Sequence, residues 1–254
     1  MPYLFIFCQK LELLLIKYSL PKYKMFYFCL ITTLFSFQLV FSQNKSENLI
    51  VNIIPRFNGE PLTKNTWYVT HSKDSIQISK LKFYTTNFIF TKKKSHVKTT
   101  KKQHLVDVFK KESLVITLSN TIYSDIDVLK FNIGVDETLN TSGANSGDLD
   151  PINGMFWSWQ SGYINFKIEG KSPSCQTRKN KFQFHIGGYQ KPYATIRVLV
   201  FSLASIKENT LSINLDVDAF FESMDLSTQN QLMIPGKEAS SVADILPKMF
   251  AINE

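Results

Sequence analysis

The sequence predicts an all-β fold, an antiparallel β-sandwich ending in a short C-terminal helical tail. Three observations predict it. After residue 43 the chain runs as short segments of strand length, rich in Ile, Val, Phe and Tyr. Clusters of Gly, Pro, Asn and Asp punctuate them as turns. Little besides the last residues reads as helix, and no internal repeat is present.

The first 43 residues stand apart. Residues 25–43, MFYFCLITTLFSFQLVFSQ, form an apolar run preceded by Lys22 and Lys24 and ended by Ser42 and Gln43, which is how a secretory signal peptide is built. Cleavage is expected near Ser42 or Gln43. Residues 1–24, apolar with scattered lysines, would make the leader abnormally long, so Met25 is the expected start of translation. The alternative is a pair of membrane segments. It fits less well, because each apolar run is broken by lysine or is shorter than the roughly 20 residues of a spanning helix. The expected organisation is a leader over 1–43 and one β-sandwich domain over 44–254, secreted or periplasmic and without a membrane anchor once the leader is removed.

Of the 29 basic and 21 acidic residues, four and one fall in the leader, which leaves 25 against 20, a net charge of +5. That mild excess, with no aromatic platforms among the lysines, does not point to nucleic acid. Cys8 and Cys29 fall in the leader, so Cys175 is alone in the mature chain. One thiol makes no internal disulfide, and stability must come from the core.

The elements follow in order. Residues 49–57 are apolar on both faces, as a mid-sheet strand is, and residues 76–90 form a longer β-rich run. Lys92, Lys93, Lys94, Lys98, Lys101 and Lys102 then mark a solvated hairpin loop, or alternatively a patch for phosphate or anionic lipid. Residues 104–108, 114–118 and 126–135 are short, β-branched strands. Residues 136–151 form the longest loop. Strands return at 182–186 and 195–202, and in residues 211–218 apolar and polar side chains alternate cleanly. Residues 240–250 are weakly helical and interrupted by Pro247. The total is about nine strands in a sandwich.

The most unusual stretch is DLDPINGMFWSWQSGYINFKIEG, residues 148–170, with two of the chain's three tryptophans. As one extended strand from Met155 to Glu169 it would place Met155, Trp157, Trp159, Tyr163, Asn165, Lys167 and Glu169 on one face. Phe156, Ile164, Phe166 and Ile168 would take the other. The tryptophans would then lie away from the main core, beside Asn165 and Lys167, unless a bulge at Gly162 breaks the register. Either they serve a purpose on that face, or a loop or second sheet covers them.

Candidate chemistry is sparse. His71 and His96 fall in polar loops. In FQFHIGG the apolar Phe182, Phe184 and Ile186 face one way and His185 the other, with two glycines following that permit close approach of a backbone or ligand. His104 opens HLVDV and meets His185 only if their strands are neighbours. Imidazoles with the Met155 thioether nearby would suit a soft or borderline metal such as copper. Asp136, Asp148 and Asp150 in the long loop could hold calcium, though the spacing is not that of an EF-hand and also suits an Asx-rich turn. No nucleophile elbow, zincin motif or phosphate-cradling loop is present, and the chain is expected not to be an enzyme.

GDLDPINGMFWSWQSGYINFKIEG followed by FQFHIGGY resembles the signature of MbnP-like proteins, the secreted partners encoded beside methanobactin copper-chelator genes. LKFYTTNFIF, HLVD, FNIGVDETLNTSGANSGDLDP and VDAFFESM extend the resemblance over nearly the whole mature chain. The resemblance implies a secreted β-sandwich that binds copper through histidines and a tryptophan oxidised to kynurenine by a partner di-haem peroxidase-like enzyme. Carried to this sequence, the ligands are His185 and His104, and the modified residue is Trp157 or Trp159. One position departs: Phe57 is followed by Asn58, Gly59 and Glu60, where relatives carry a histidine. The alternative is a non-catalytic binding or scaffold module that presents the tryptophan face to a protein or glycan.

Overall fold

In the computed structural model the described residues are 48–92, 95–98, 101–118, 126–158, 161–203 and 210–253, with the backbone alone at 92 and 95–98. The leader and the expected start at Met25 lie outside them. Fifteen strands are described: β1 (Leu49–Phe57), β2 (Glu60–Pro61), β3 (Trp67–Val69), β4 (Ser75–Lys92), β5 (Ser95–Lys98), β6 (Gln103–Asp107), β7 (Val115–Leu118), β8 (Val128–Ile133), β9 (Phe156–Ser158), β10 (Gly162–Lys171), β11 (Lys181–Gly187), β12 (Arg197–Ser202), β13 (Thr210–Asp216), β14 (Gln231–Leu232) and β15 (Phe250–Ile252). Among the described residues no helix is long and apolar enough to cross a membrane.

Two sheets face each other. The smaller runs β15-β13-β1-β2 with β7 also on β1; the larger runs β12-β8-β4-β10-β11-β14, with β3, β5 and β6 on β4 and β9 on β10. The expectation of a purely antiparallel sandwich needs correction, since β1 pairs β13 in parallel and β11 pairs β14 in parallel. These strands are distant in sequence, so no hairpin dictates their direction. The all-β sandwich itself holds. The tail supplies a helix over Lys237–Ala243, a 3-10 turn over Leu246–Met249, where Pro247 sits, and the edge strand β15.

β4 organises the larger sheet. Its 18 residues pair with β10 along the first half and β8 along the second, while β3, β6 and β5 share its other edge. The core lies between the sheets: Val51 and Ile213 from one, Phe83, Phe131, Phe166 and Phe184 from the other. Phe220, on a helix over Asp218–Phe221, lies 5.4 Å from both Phe166 and Phe184, ring centre to ring centre. Burial of these aromatic surfaces drives the fold, with no disulfide among the described residues, whose one cysteine, Cys175, is free.

A second, smaller cluster sits on the outer face of the larger sheet. Tyr84, Val135, Leu149, Met155, Tyr163 and Ile164 form it under the loop that follows β8. That loop is ordered by its own polar residues. Asn140 Nδ2 donates to the Val135 and Asp136 carbonyls while its Oδ1 accepts from Tyr163 N–H at 2.8 Å. Asn165 Oδ1 accepts from Val135 N–H, and its Nδ2 donates to Thr195 Oγ1. Gly162, at φ +74, lies so close to Asn140 that a Cβ there would stand 2.1 Å from Oδ1; only glycine allows that approach.

Candidate functional site

The single strand expected from Met155 to Glu169 is two strands. β9 turns back onto β10, with Ser158 opposite Gly162 and a register shift between Gly162 and Tyr163. A second shift follows between Ile164 and Phe166 on the β11 side. The bulge at Gly162 considered from sequence is therefore present. It returns the chain over the sheet, so the loop and β9 cover this face in part.

Trp157 is half-buried, and Cζ3 of its indole stands 2.8 Å from where a Cβ on Gly187 would lie. Gly187 thus forms a shelf for the indole. His185 is two residues before it on β11, on the same outward face and about 7 Å along the strand. Met155 is fully buried in the outer cluster, away from solvent. Trp159 lies outside the described residues. Trp67, at 53% exposed, is the outward tryptophan among those described.

His185 is tied down by Glu169, whose Oε1 accepts from Nε2 at 2.9 Å, and Lys80 Nζ stands 3.0 Å from the other carboxylate oxygen. The hydrogen bond from His185, with support from Lys80, holds the Glu169 carboxyl down to about 2, against the opposing effect of burial. Next along the row, Lys167 is buried and donates to the Gly154 carbonyl, and Lys82 Nζ donates to the Asn153 carbonyl at 3.2 Å while pairing with Asp107 at 3.3 Å. Burial pushes the Lys167 ammonium down from its ordinary value. Two lysines on the sheet thus clamp the turn that leads into Met155 and Trp157.

His104 is not part of this face. The register runs from His185 to Lys167, to Lys82, to Asp107. That is three strand spacings, about 14 Å, and His104 lies three residues farther along β6, about 10 Å. It also shares the inward side with buried Val106, whereas His185 faces outward. The structure therefore does not bring His104 and His185 to a common metal, which corrects that expectation. His104 Nε2 donates to the Ser113 carbonyl at 2.8 Å, and burial holds the imidazole below its ordinary value. Its buried Nδ1 makes no hydrogen bond and lies 3.7 Å from Asp148 Oδ2.

The three aspartates of the long loop cap backbone instead of converging. Asp136 accepts from Leu139 N–H at the start of a helix over Glu137–Thr141, and Asp150 accepts from Ile152 N–H. Asp148 accepts from Leu105 N–H on the β6 edge. Among the described residues no group of three His, Cys, Asp or Glu side chains is placed to hold a metal ion. His71 is exposed, as expected; His96 falls on β5, where only the backbone is described.

A family model described as MbnP matches residues 46–235. The chain belongs to the MbnP family. Its match takes in His104, Trp157, Glu169 and His185 and stops before the C-terminal helix and β15. The solved structure of MbnP from Methylosinus trichosporium superposes with a TM-score of 0.56, covering 72% of this chain and 80% of that one at 16% identity, a likeness of fold. No curated protein matches the chain.

For an MbnP-family chain the residue that sequence reading did not single out is Glu169, whereas the glycines after His185 already read as a place of close approach. The place of Glu169 follows from pairing FKIEG with FQFHIGG as antiparallel neighbours, which puts it diagonal to His185, while Gly187 meets Trp157 through the return of β9 onto β10. The face offers two metal donors as it stands, the His185 imidazole and the Glu169 carboxylate. That is short of the usual ligand set of a copper centre, so the intact residues fit copper only in part.

Proposed function

We propose that this MbnP-family chain is an exported, non-enzymatic copper-binding protein whose site is the His185–Glu169–Trp157 face, completed by oxidation of Trp157. The observation that carries this reading is the Gly187 shelf, which seats an indole on the outward face about 7 Å along β11 from a half-buried imidazole already paired with a carboxylate. An intact indole has no usable lone pair. Cleavage of the indole C2–C3 bond with two oxygen atoms from two equivalents of peroxide, activated by a di-haem peroxidase-like partner, and hydrolytic release of C2 as formate would leave the aryl amine and ketone of kynurenine, a donor that the face lacks. Copper bound there would have a borderline imidazole ligand and a hard carboxylate. Export rests on the signal-like residues 25–43.

The test is to isolate the protein from its own cells and measure copper content and the mass of the peptide carrying Trp157. One copper per chain together with an oxidised Trp157 supports the reading. Intact Trp157 in a protein that takes up no copper would overturn it.

A further inference from the structure

A second concavity, of about 610 Å³, opens on the outer face of the larger sheet where β4 meets β8 and β12, away from His185. Its shape is set by the backbone. The β4–β8 register shifts between Thr86 and Ile89, and Asn87, at the shift, has φ 54. Such a bulge bends the strand and deepens the twist. Asn87 N–H donates to the Lys102 carbonyl and its Nδ2 to Asp136 Oδ2, which fixes the mouth between residues 101–102 and the helix over Glu137–Thr141.

The lining has two characters. Ile89, Leu139 and Val198 give it an apolar floor, with Val198 47% exposed and Val200 beside it 62% exposed. Lys101, Lys102 and Lys130 give it a cationic rim, with Lys102 and Lys130 both exposed. Asp136, the acidic residue of the lining, already caps Leu139 N–H and accepts from Asn87, and the two exposed lysines, Lys102 and Lys130, outweigh it. A bare anion would leave the apolar floor wet, and a neutral hydrocarbon would leave Lys102 and Lys130 without a counter-charge.

We propose that this concavity binds an anionic amphiphile, a molecule with an apolar chain ending in one carboxylate or phosphate. Its volume falls in the range of small-molecule sites, about 300–1,000 Å³. The head pairs with Lys102 and Lys130, and the chain lies over Ile89, Leu139 and Val198. Nothing in this depends on copper at His185.

Calorimetric titration of the exported protein tests it, with dodecanoate and dodecyl phosphate as probes and with inorganic phosphate and dodecanol as probes of each half alone. Both amphiphiles bind one to one and more weakly as salt is added. Phosphate and dodecanol bind at least about tenfold more weakly, and Lys102→Glu and Lys130→Glu each lose about tenfold in affinity at unchanged melting temperature. Absence of binding, binding indifferent to both substitutions, or phosphate alone binding as tightly as dodecyl phosphate would overturn the proposal.

Discussion

Glu169 and His185 are hydrogen-bonded across a diagonal of the β10–β11 ladder: Glu169 pairs with Gln183 and His185 with Lys167, yet Oε1 and Nε2 meet at 2.9 Å. The contact sits on a sheet face, where diagonal side chains of this length reach each other. Its carboxylate is also met by Lys80.

Glu169→Gln is expected to lower stability at neutral pH by about 1–2 kcal/mol, since a charge-assisted hydrogen bond is lost from a mostly buried site. The folded-state value of Glu169 is depressed to about 2. Its stabilisation is therefore complete above the ordinary carboxylate range, near 4.5, and is lost as pH falls towards 2. Urea unfolding of both proteins across that window should show the difference shrinking with acid. A constant difference would mean that the ionised carboxylate contributes nothing.

His104 titrates in the opposite sense to a paired histidine. Burial lowers its folded-state value beneath 6.5, so the unfolded chain binds the proton first, and stability is lost as pH falls below about 6.5. His104→Gln keeps a donor for the Ser113 carbonyl and removes the titration. Its stability profile between neutral and mildly acidic pH should be flatter than that of the wild type, as read by thermal melts, and an unchanged slope would contradict the buried neutral imidazole.

Gly187→Ala tests the shelf. An alanine methyl would stand 2.6 Å from the Tyr163 carbonyl oxygen and 2.8 Å from Trp157 Cζ3, and the first of these is backbone. A loss of about 1–3 kcal/mol is expected from the forced shift. A change in tryptophan emission should accompany it as Trp157 lifts towards solvent. Full stability with unchanged emission would show that Trp157 does not rest on Gly187.

Much of the fold was legible because burial leaves strand-length apolar runs and, on half-buried strands, period-two patterning. Residues 49–57 and 76–90 map onto β1 and β4 nearly end to end, and the alternation in 211–218 onto β13. What could not be read were two- and three-residue strands such as β2, β9, β14 and β15, too short to carry a period, and the parallel pairings, which depend on which distant strands become neighbours. The same limit governed the site. His185 and Trp157 were visible as residues on a polar face, but the return of β9 at Gly162 and the placing of His104 on the inward side, three strands from His185, arise from strand pairing and register. A one-residue change in register exchanges the faces.

The central claim, that metal binds at the His185 face and not at His104, is tested most directly by one copper competition titration. It would compare wild type, His185→Ala and His104→Gln, each isolated from its own cells. The account predicts a single site that is lost in His185→Ala and kept in His104→Gln. A site lost in His104→Gln, or kept in His185→Ala, would contradict it.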